Sequence, residues 1–364
     1  MKMAFYGSSL VSSYWNGAAT YYRGVLSQLH RRGWEIVFYE PDAFDRQQHR
    51  DLDEVSYARS VVYPATEAAA RAVLAKGRDA DVVVKASGVG VFDDLLLAGV
   101  LETVAPQSLA VFWDVDAAAT LEELRASGPD HPTRRALLRL DHVLTYGGGD
   151  PVVTAYTGFG AAACTPVYNA LDPETHHPVP PEPRFGGDLN FLANRLPDRE
   201  ARVEEFFLRA AALQPERRFR IGGNGWGDKA SPPNVEAIGH VFTADHNAFN
   251  TSPLAVLNVA RDSMAAIGFS PATRVFEAAG AGACLITDWW EGIPMFLEPD
   301  REVLVARDGQ DVAGHVAALT PERAREIGDA ARARILREHT YEMRGAQVDA
   351  LLREAVARKR SLAA

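Results

Sequence analysis

Short apolar runs punctuate this chain from end to end, and most are separated by segments whose apolar residues recur at helical spacing. Residues 3–6 form the first run, closed by Gly7 and followed by a polar loop from Ser8 to Gly17. A helix is predicted over about 18–32, with Tyr22, Val25, Leu26 and Leu29 on one face and Gly33 as its stop. Residues 34–39 read as the second strand. Further strands are predicted at 61–63, 81–86, 109–113, 142–146 and 165–168, with Ala-rich or Leu-rich helical segments between most of them. Strands alternating with helices imply a parallel sheet covered on both faces.

The pattern breaks between Pro166 and Pro183, where six prolines exclude a helix and predict an extended linker over 169–187. Beyond it the alternation restarts: a strand at 189–193, a helix at 199–213, strands at 219–221, 235–238, 254–258 and 302–305. The tail, 321–358, reads as nearly continuous helix with a break near Thr340. The chain therefore divides into an N-terminal α/β domain over 1–168, the linker, a second α/β domain over 188–340 and a closing helix over 341–364. Two open sheets of this kind imply a cleft, with ligands at the carboxyl ends of the strands.

The most informative stretch is SPATRVFEAAGAGACLITD, residues 270–288. Pro271 favours a helix start just after it, Val275, Phe276 and Ala279 give that helix an apolar face, and Gly280 and Gly282 end it before a short buried strand at 283–287. A helix N-terminus at Thr273, with Arg274 in its first turn, is a ready site for phosphate. Glu277, one turn on, accepts hydrogen bonds only and suits two ribose hydroxyls. Phosphate site and carboxylate together make a nucleoside-diphosphate site; the alternative is a Glu on a solvated helix face paired with Arg274.

Other candidates are weaker. Arg195, at the end of the first strand of the second domain, is placed to clamp a pyrophosphate or to pair with Asp198 or Glu200. The run from Gly222 to Gly227, with Gly223 and Asn224, permits close approach of backbone to a ligand, or simply turns. In the first loop, Asn16-Gly17 leads into the helix at Thr20, and the loop is a candidate for touching an acceptor or donor phosphate. That loop lacks the glycine fingerprint of a dinucleotide site, although Glu40 follows the second strand. Asp114-Val115-Asp116 follows a strand and can hold a divalent metal, but Asp114 as a base or hydroxyl-orienting group with Asp116 as a helix N-cap is the preferred reading. Asp79-Ala80-Asp81 has the same spacing before its strand and reads as a solvated turn. His176 and His177 are adjacent in the linker, and His240 and His246 are badly spaced as ligands, so no metal site is expected.

Composition narrows the function classes. The formal net charge of −10 over 364 residues argues against a nucleic-acid partner. No uncharged apolar run approaches the roughly 20 residues that span a bilayer, and the N-terminus does not read as a signal peptide. The two cysteines, Cys164 and Cys284, sit in apolar segments and read as buried thiols of a cytoplasmic protein. Trp15, Trp226, Trp289 and Trp290 fall in loop positions where they stack on a ligand or pack inward.

Several segments together resemble the CgeB-like glycosyltransferases: YWNGAATYYRGVLSQLHRRG, FWDVDAAATL, LTYGGGDPVV, YNALDPETHHPV, LANRLPDREARVEEFF and SPATRVFEAAGAGACLITD. The resemblance implies the GT-B architecture: two Rossmann-like domains facing a cleft, the first for the acceptor and the second for a nucleotide-sugar. It also implies a final helix crossing back to the N-terminal domain. By resemblance to the retaining glycosyltransferase family 4, Glu277 corresponds to the ribose-holding glutamate and Arg195 to the basic phosphate contact. Two positions depart from the pattern: Ala18 stands where related sequences often have His, and Phe269 where family 4 has a glutamate eight positions before the ribose-binding one. The expectation is a metal-independent transferase, hexosyltransferase-like, using a nucleoside-diphosphate-sugar as co-substrate and no further cofactor. The rivals are an inactive nucleotide-sugar-binding protein and a GT-B-like sugar-nucleotide epimerase.

Overall fold

The computed structural model describes residues 1–14 and 16–363, so the stacking expectation for Trp15 lies outside the described residues. The chain forms two compact units, residues 1–168 with 341–364, and residues 169–340.

The first unit is built on seven parallel strands: β1 (Lys2–Tyr6), β2 (Glu35–Asp42), β3 (Arg59–Pro64), β4 (Val82–Ala86), β5 (Leu109–Asp114), β6 (His142–Thr145) and β7 (Cys164–Pro166). Their order is β3-β2-β1-β4-β5-β6-β7, with a switch point between β1 and β4. β4 and β5 are buried at every position, as expected of strands covered on both faces. Phe5 on β1 stacks on Phe38 of β2 at 5.0 Å and meets the edge of Tyr22 at 5.2 Å, so the first helix is fixed by aromatic packing. That helix runs Ala19–Arg31, close to the predicted span. β7 stops at Pro166 rather than continuing to 168, which suits an edge strand because proline has no N–H for the ladder.

The helix Tyr341–Ala363 belongs to this unit and packs along the helix Ala19–Arg31. Contact is close because residue 24 is glycine: a Cβ there would lie 2.4 Å from the Tyr341 ring. Polar ties flank the seam, with Trp34 Nε1 donating to Asp349 at 2.6 Å and Lys359 pairing with Asp141 at 2.6 Å. Asp81 is not in a solvated turn. It pairs with Arg360 and accepts the Lys2 N–H at 2.7 Å, tying the start of β1 to the last helix.

The second unit carries six parallel strands: β8 (Leu189–Leu192), β9 (Phe219–Gly222), β10 (Val235–Gly239), β11 (Ala255–Asn258), β12 (Leu285–Asp288) and β13 (Leu304–Ala306). Their order, β10-β9-β8-β11-β12-β13, puts the switch point between β8 and β11. Phe191, Phe207, Phe219, Leu257 and Ile286 are core residues. The predicted helix over 199–213 starts earlier, with Pro197 at its first turn, and passes through a π-helical turn at Glu204–Leu208. The proline-rich segment is anchored to this unit. Leu171 is buried and donates its N–H to His339 O at 2.8 Å, and Phe185 packs edge-on against Phe249 at 5.6 Å. The helix Pro321–Glu338 stops just before Thr340, where the second unit ends.

Both cysteines are free, and burial pushes each thiol up to about 12, so neither is reactive at neutral pH. Cys284 is buried as expected, whereas Cys164 is only partly so. No described helix is long and apolar enough to cross a membrane.

Candidate functional site

In a parallel sheet each strand is followed by a helix running back, so the helix N-termini and the preceding loops gather at the carboxyl edge. In the second unit this brings Asn194, Arg195 and Arg199 after β8, Gly223 to Gly225 after β9, and Arg261 after β11 to one edge. The helix Thr273–Gly280, between β11 and β12, begins at the same edge. Its N-cap residue is Ala272, which has no side-chain acceptor to cap the first turn. Val275, Phe276, Ala278 and Ala279 are buried on one face, while Arg274 and Glu277, three apart, share the other.

Arg274 is partly buried and donates to Asn250 Oδ1 at 3.5 Å. Burial lowers its pKa, with Glu277 acting in the opposite direction. Arg199 behaves alike: burial lowers its pKa first, the charge of Arg261 next, and Arg274 adds to the effect. Its Nε has no hydrogen-bond partner among the described residues. Arg261 holds Asp198. Arg261 and Arg274 thus both act on the Arg199 guanidinium, with Asp198 and Asp288 acting against them, and a bound anion would relieve that repulsion and the desolvation. The strand-end reasoning applied to Arg195 applies equally to Arg261 after β11. Arg199 carries no such signal, because its burial depends on the packing of the whole edge.

Glu277 is not on a solvated face. Its side chain is 14% exposed and faces His176 Nε2 at 3.5 Å. His176 itself is 6% exposed, and the ring of His246 lies nearly parallel to it, 20° off with centroids 6.3 Å apart. Thr273 Oγ1 accepts from Asn169 Nδ2 at 3.2 Å. Neither histidine stood out in the sequence, since the linker gave His176 no reason to be buried.

Arg195 lies in a different environment. Its Nη2 pairs with Glu200 at 2.6 Å and its Nη1 with Asp228 at 3.3 Å. The Arg195 guanidinium, together with Lys229, holds the Glu200 carboxyl down at about 2. The ion pair expected of Arg195 forms with Glu200; Asp198 is taken by Arg261. The loop after β9 is pinned to the loop after β8: Asn224 N–H donates to Asn194 Oδ1 at 2.9 Å and Arg195 N–H to Asn224 O at 2.9 Å. Gly223 has φ +112°, and a Cβ there would lie 2.2 Å from Ala193 O, so only glycine fits. Trp226 is buried with its Nε1 donating to Ala193 O, and Trp290 is buried, whereas Trp289 is 55% exposed. Phe269 packs against Gly292.

In the first unit, Asp114 has 0% exposure. One oxygen accepts from Ser87 Oγ at 2.7 Å and from the Asp116 N–H at 2.9 Å, and the other from Tyr156 Oη. Buried and held by three donors, the carboxylate ties Ser87, Asp116 and Tyr156 together in this structure. Asp116 occupies the N-cap position of the helix Ala117–Ala126 without a side-chain capping bond. Asn16 is buried: its amide donates to Ser9 O and Ser12 O and accepts from Ser8 Oγ, so it holds the loop's own shape. Glu40 does likewise, accepting from Leu10 N–H at 2.6 Å and Gln47 at 2.6 Å. Gly17 and Thr20 are exposed at the start of the first helix, where Ala18 is the N-cap residue. Among the described residues, no group of three or more His, Cys, Asp or Glu side chains is arranged to hold a metal ion.

Comparison with known proteins agrees with this architecture. Residues 199–350 match a family model described as glycosyl transferase-like. No curated protein matches the sequence. Sucrose-phosphate synthase from Thermosynechococcus elongatus is similar in structure, with a TM-score of 0.70 at 13% identity, covering 98% of this chain and 100% of that one. HepE from Anabaena, solved with UDP and glucose, gives 0.65 at 13% identity, covering 97% and 100%. The T4 phage β-glucosyltransferase, solved with its UDP-glucose substrate, gives 0.61 at 12% identity, covering 98% and 99%. The chain has the GT-B fold, with a glycosyltransferase-like stretch that contains Arg199, Arg261, Arg274 and Glu277.

Proposed function

We propose that this chain is a glycosyltransferase that moves a sugar from a nucleoside-diphosphate-sugar donor to an acceptor. What supports the reading is that Arg199 feels the charges of both Arg261 and Arg274, and that Arg274 and Glu277 share one face of the helix Thr273–Gly280, whose N-cap residue makes no side-chain capping bond. Cleavage of the bond from the sugar's anomeric carbon to the diphosphate leaves negative charge on the departing phosphate oxygen. Fixed cations and a helix N-terminus at that point stabilise the charge as it develops, and such stabilisation is usually the largest single catalytic effect. Glu277 accepts from the donor ribose. Arg195 sits at the rim of the same edge and contributes less, because Glu200 and Asp228 already hold it.

UDP-sugars are the first donors to try, since HepE and the T4 phage enzyme were both solved with UDP-glucose. In this reading unit 169–340 takes the donor, the unit of residues 1–168 with 341–364 takes the acceptor, and Asp114 holds the strand ends of the latter. Two unreactive free thiols suit a reducing, cytoplasmic setting.

The test is incubation with sugar nucleotides, with and without candidate acceptors and with and without EDTA, following released nucleoside diphosphate and glycosylated product. The wild type releases diphosphate with EDTA present, and Arg274→Ala lowers the rate by about a hundredfold or more, the scale of losing one charge-stabilising donor. Conversion of the sugar without acceptor or net diphosphate release would favour an epimerase. Tight nucleotide binding without any turnover would favour an inactive binding protein.

A further inference from the structure

The proline-rich segment delivers one polar ring into the interior of the second unit. Asp172 caps a tight turn, accepting from the Glu174 N–H at 3.0 Å, the Thr175 hydroxyl at 2.9 Å and, through its carbonyl, the His176 N–H at 2.9 Å. The turn fixes His176 where it is 6% exposed, with Nε2 3.5 Å from Glu277 Oε1. That distance is long for a direct hydrogen bond, but such contacts in ligand-free sites often tighten when the ligand is bound. Among the described residues His176 Nδ1 and Asn250 Nδ2 are buried with no hydrogen-bond partner, and Asn250 is the residue that Arg274 reaches. Unpartnered buried atoms occur elsewhere too, at His142 Nδ1 and Asn190 Oδ1 for example, so it is the buried contact with Glu277 that singles out His176.

We infer that His176 is a positioning residue of the donor site, which rests on the donor-site reading above. Its Nε2–H holds one oxygen of Glu277 and leaves the other to accept from a donor hydroxyl. His246, parallel to it on the helix His246–Thr251, closes the other side of the ring and donates its own Nε2–H toward Val241 O at 3.3 Å. His176 does not touch the reacting bond; it acts through Glu277, so its effect falls on donor affinity.

Calorimetry with UDP, GDP, ADP and CDP tests the assignment. The diphosphate that binds the wild type binds His176→Phe about tenfold more weakly, the scale of one hydrogen bond to a charged group, and binds His176→Gln within about threefold, because the Gln amide places a donor near the former Nε2. In a Glu277→Gln background His176→Phe causes no further loss, and the 2′,3′-dideoxy counterpart binds His176→Phe and wild type equally. Should His176→Phe fail to fold, His176→Asn, whose amide is too short to reach Glu277, takes its place beside His176→Gln. Equal loss in the Gln and Phe or Asn variants, loss that persists in the Glu277→Gln background, or no loss at all overturns the assignment and leaves the donor site standing. No binding of any of the four diphosphates to the wild type overturns the donor site and this assignment together.

Discussion

Arg274 and Arg195 are two like charges whose surroundings set them apart. Arg274 is partly buried, donates to an amide oxygen at 3.5 Å, and lies at a helix start whose N-cap residue makes no side-chain capping bond, whereas Arg195 is held by two carboxylates. Arg274→Ala should therefore weaken nucleoside diphosphate binding by roughly tenfold or more, and Arg195→Ala by less than about threefold, as read by calorimetry. Asp114 gives a second contrast. Asp114→Asn, which removes the acceptor charge shared by Ser87 and Tyr156, should lower unfolding free energy by roughly 1–3 kcal/mol in denaturant titrations while donor binding is unchanged. The sequence made Arg274 and Glu277 legible because helix start, first turn and i,i+3 spacing are local facts. It could not show that Asp114 is occupied, since Ser87 and Tyr156 stand 27 and 42 residues away. Nor could it show that Glu277 faces His176, from a segment whose prolines suggested only a linker.

Elements follow the same division. Short apolar runs bounded by Gly and Pro were enough to locate the strands, because strands buried on both faces read as continuous apolar stretches. Helix ends were legible where Gly33 and Gly280 sit. The π turn at Glu204–Leu208 was not, since its side chains fit an ordinary helix. The turn after β9 carries a sharp prediction. Gly223→Ala forces a side chain into φ +112° and against Ala193 O, so it should cost roughly 1–3 kcal/mol of strain or more in thermal or denaturant unfolding, and loosen the Asn194–Asn224 tie. Gly227→Ala is the neutral control, because a methyl group at that position meets nothing within 4 Å.

For the whole molecule, the break at Thr340 returns the last helix to the first unit, so the chain crosses from one unit to the other twice. The alternating pattern foretold both sheets, and the tail's break was legible in its helix signals. Stability should depend on pH through two histidines, one in each unit. Burial is the first cause lowering the pKa of His142 and of His246, with Arg358 adding to the former and Arg274 and His176 to the latter. The unfolded chain then takes up protons more readily than the folded one. Stability is full above the unfolded histidine value of about 6.5 and declines as pH falls from there toward the lowered folded values. Urea titrations at a series of pH values between neutral and mildly acidic check this, and His142→Gln with His246→Gln should flatten the decline. The central claim, a donor diphosphate site in unit 169–340, is tested most directly by thermal unfolding with UDP, GDP, ADP, CDP and dTDP, each with and without EDTA. At a hundred times its dissociation constant a ligand adds about 2.7 kcal/mol, so a rise in melting temperature with one diphosphate, unchanged by EDTA and lost in Arg274→Ala, is the predicted result. No rise with any diphosphate, or a rise that Arg274→Ala leaves intact, would contradict it.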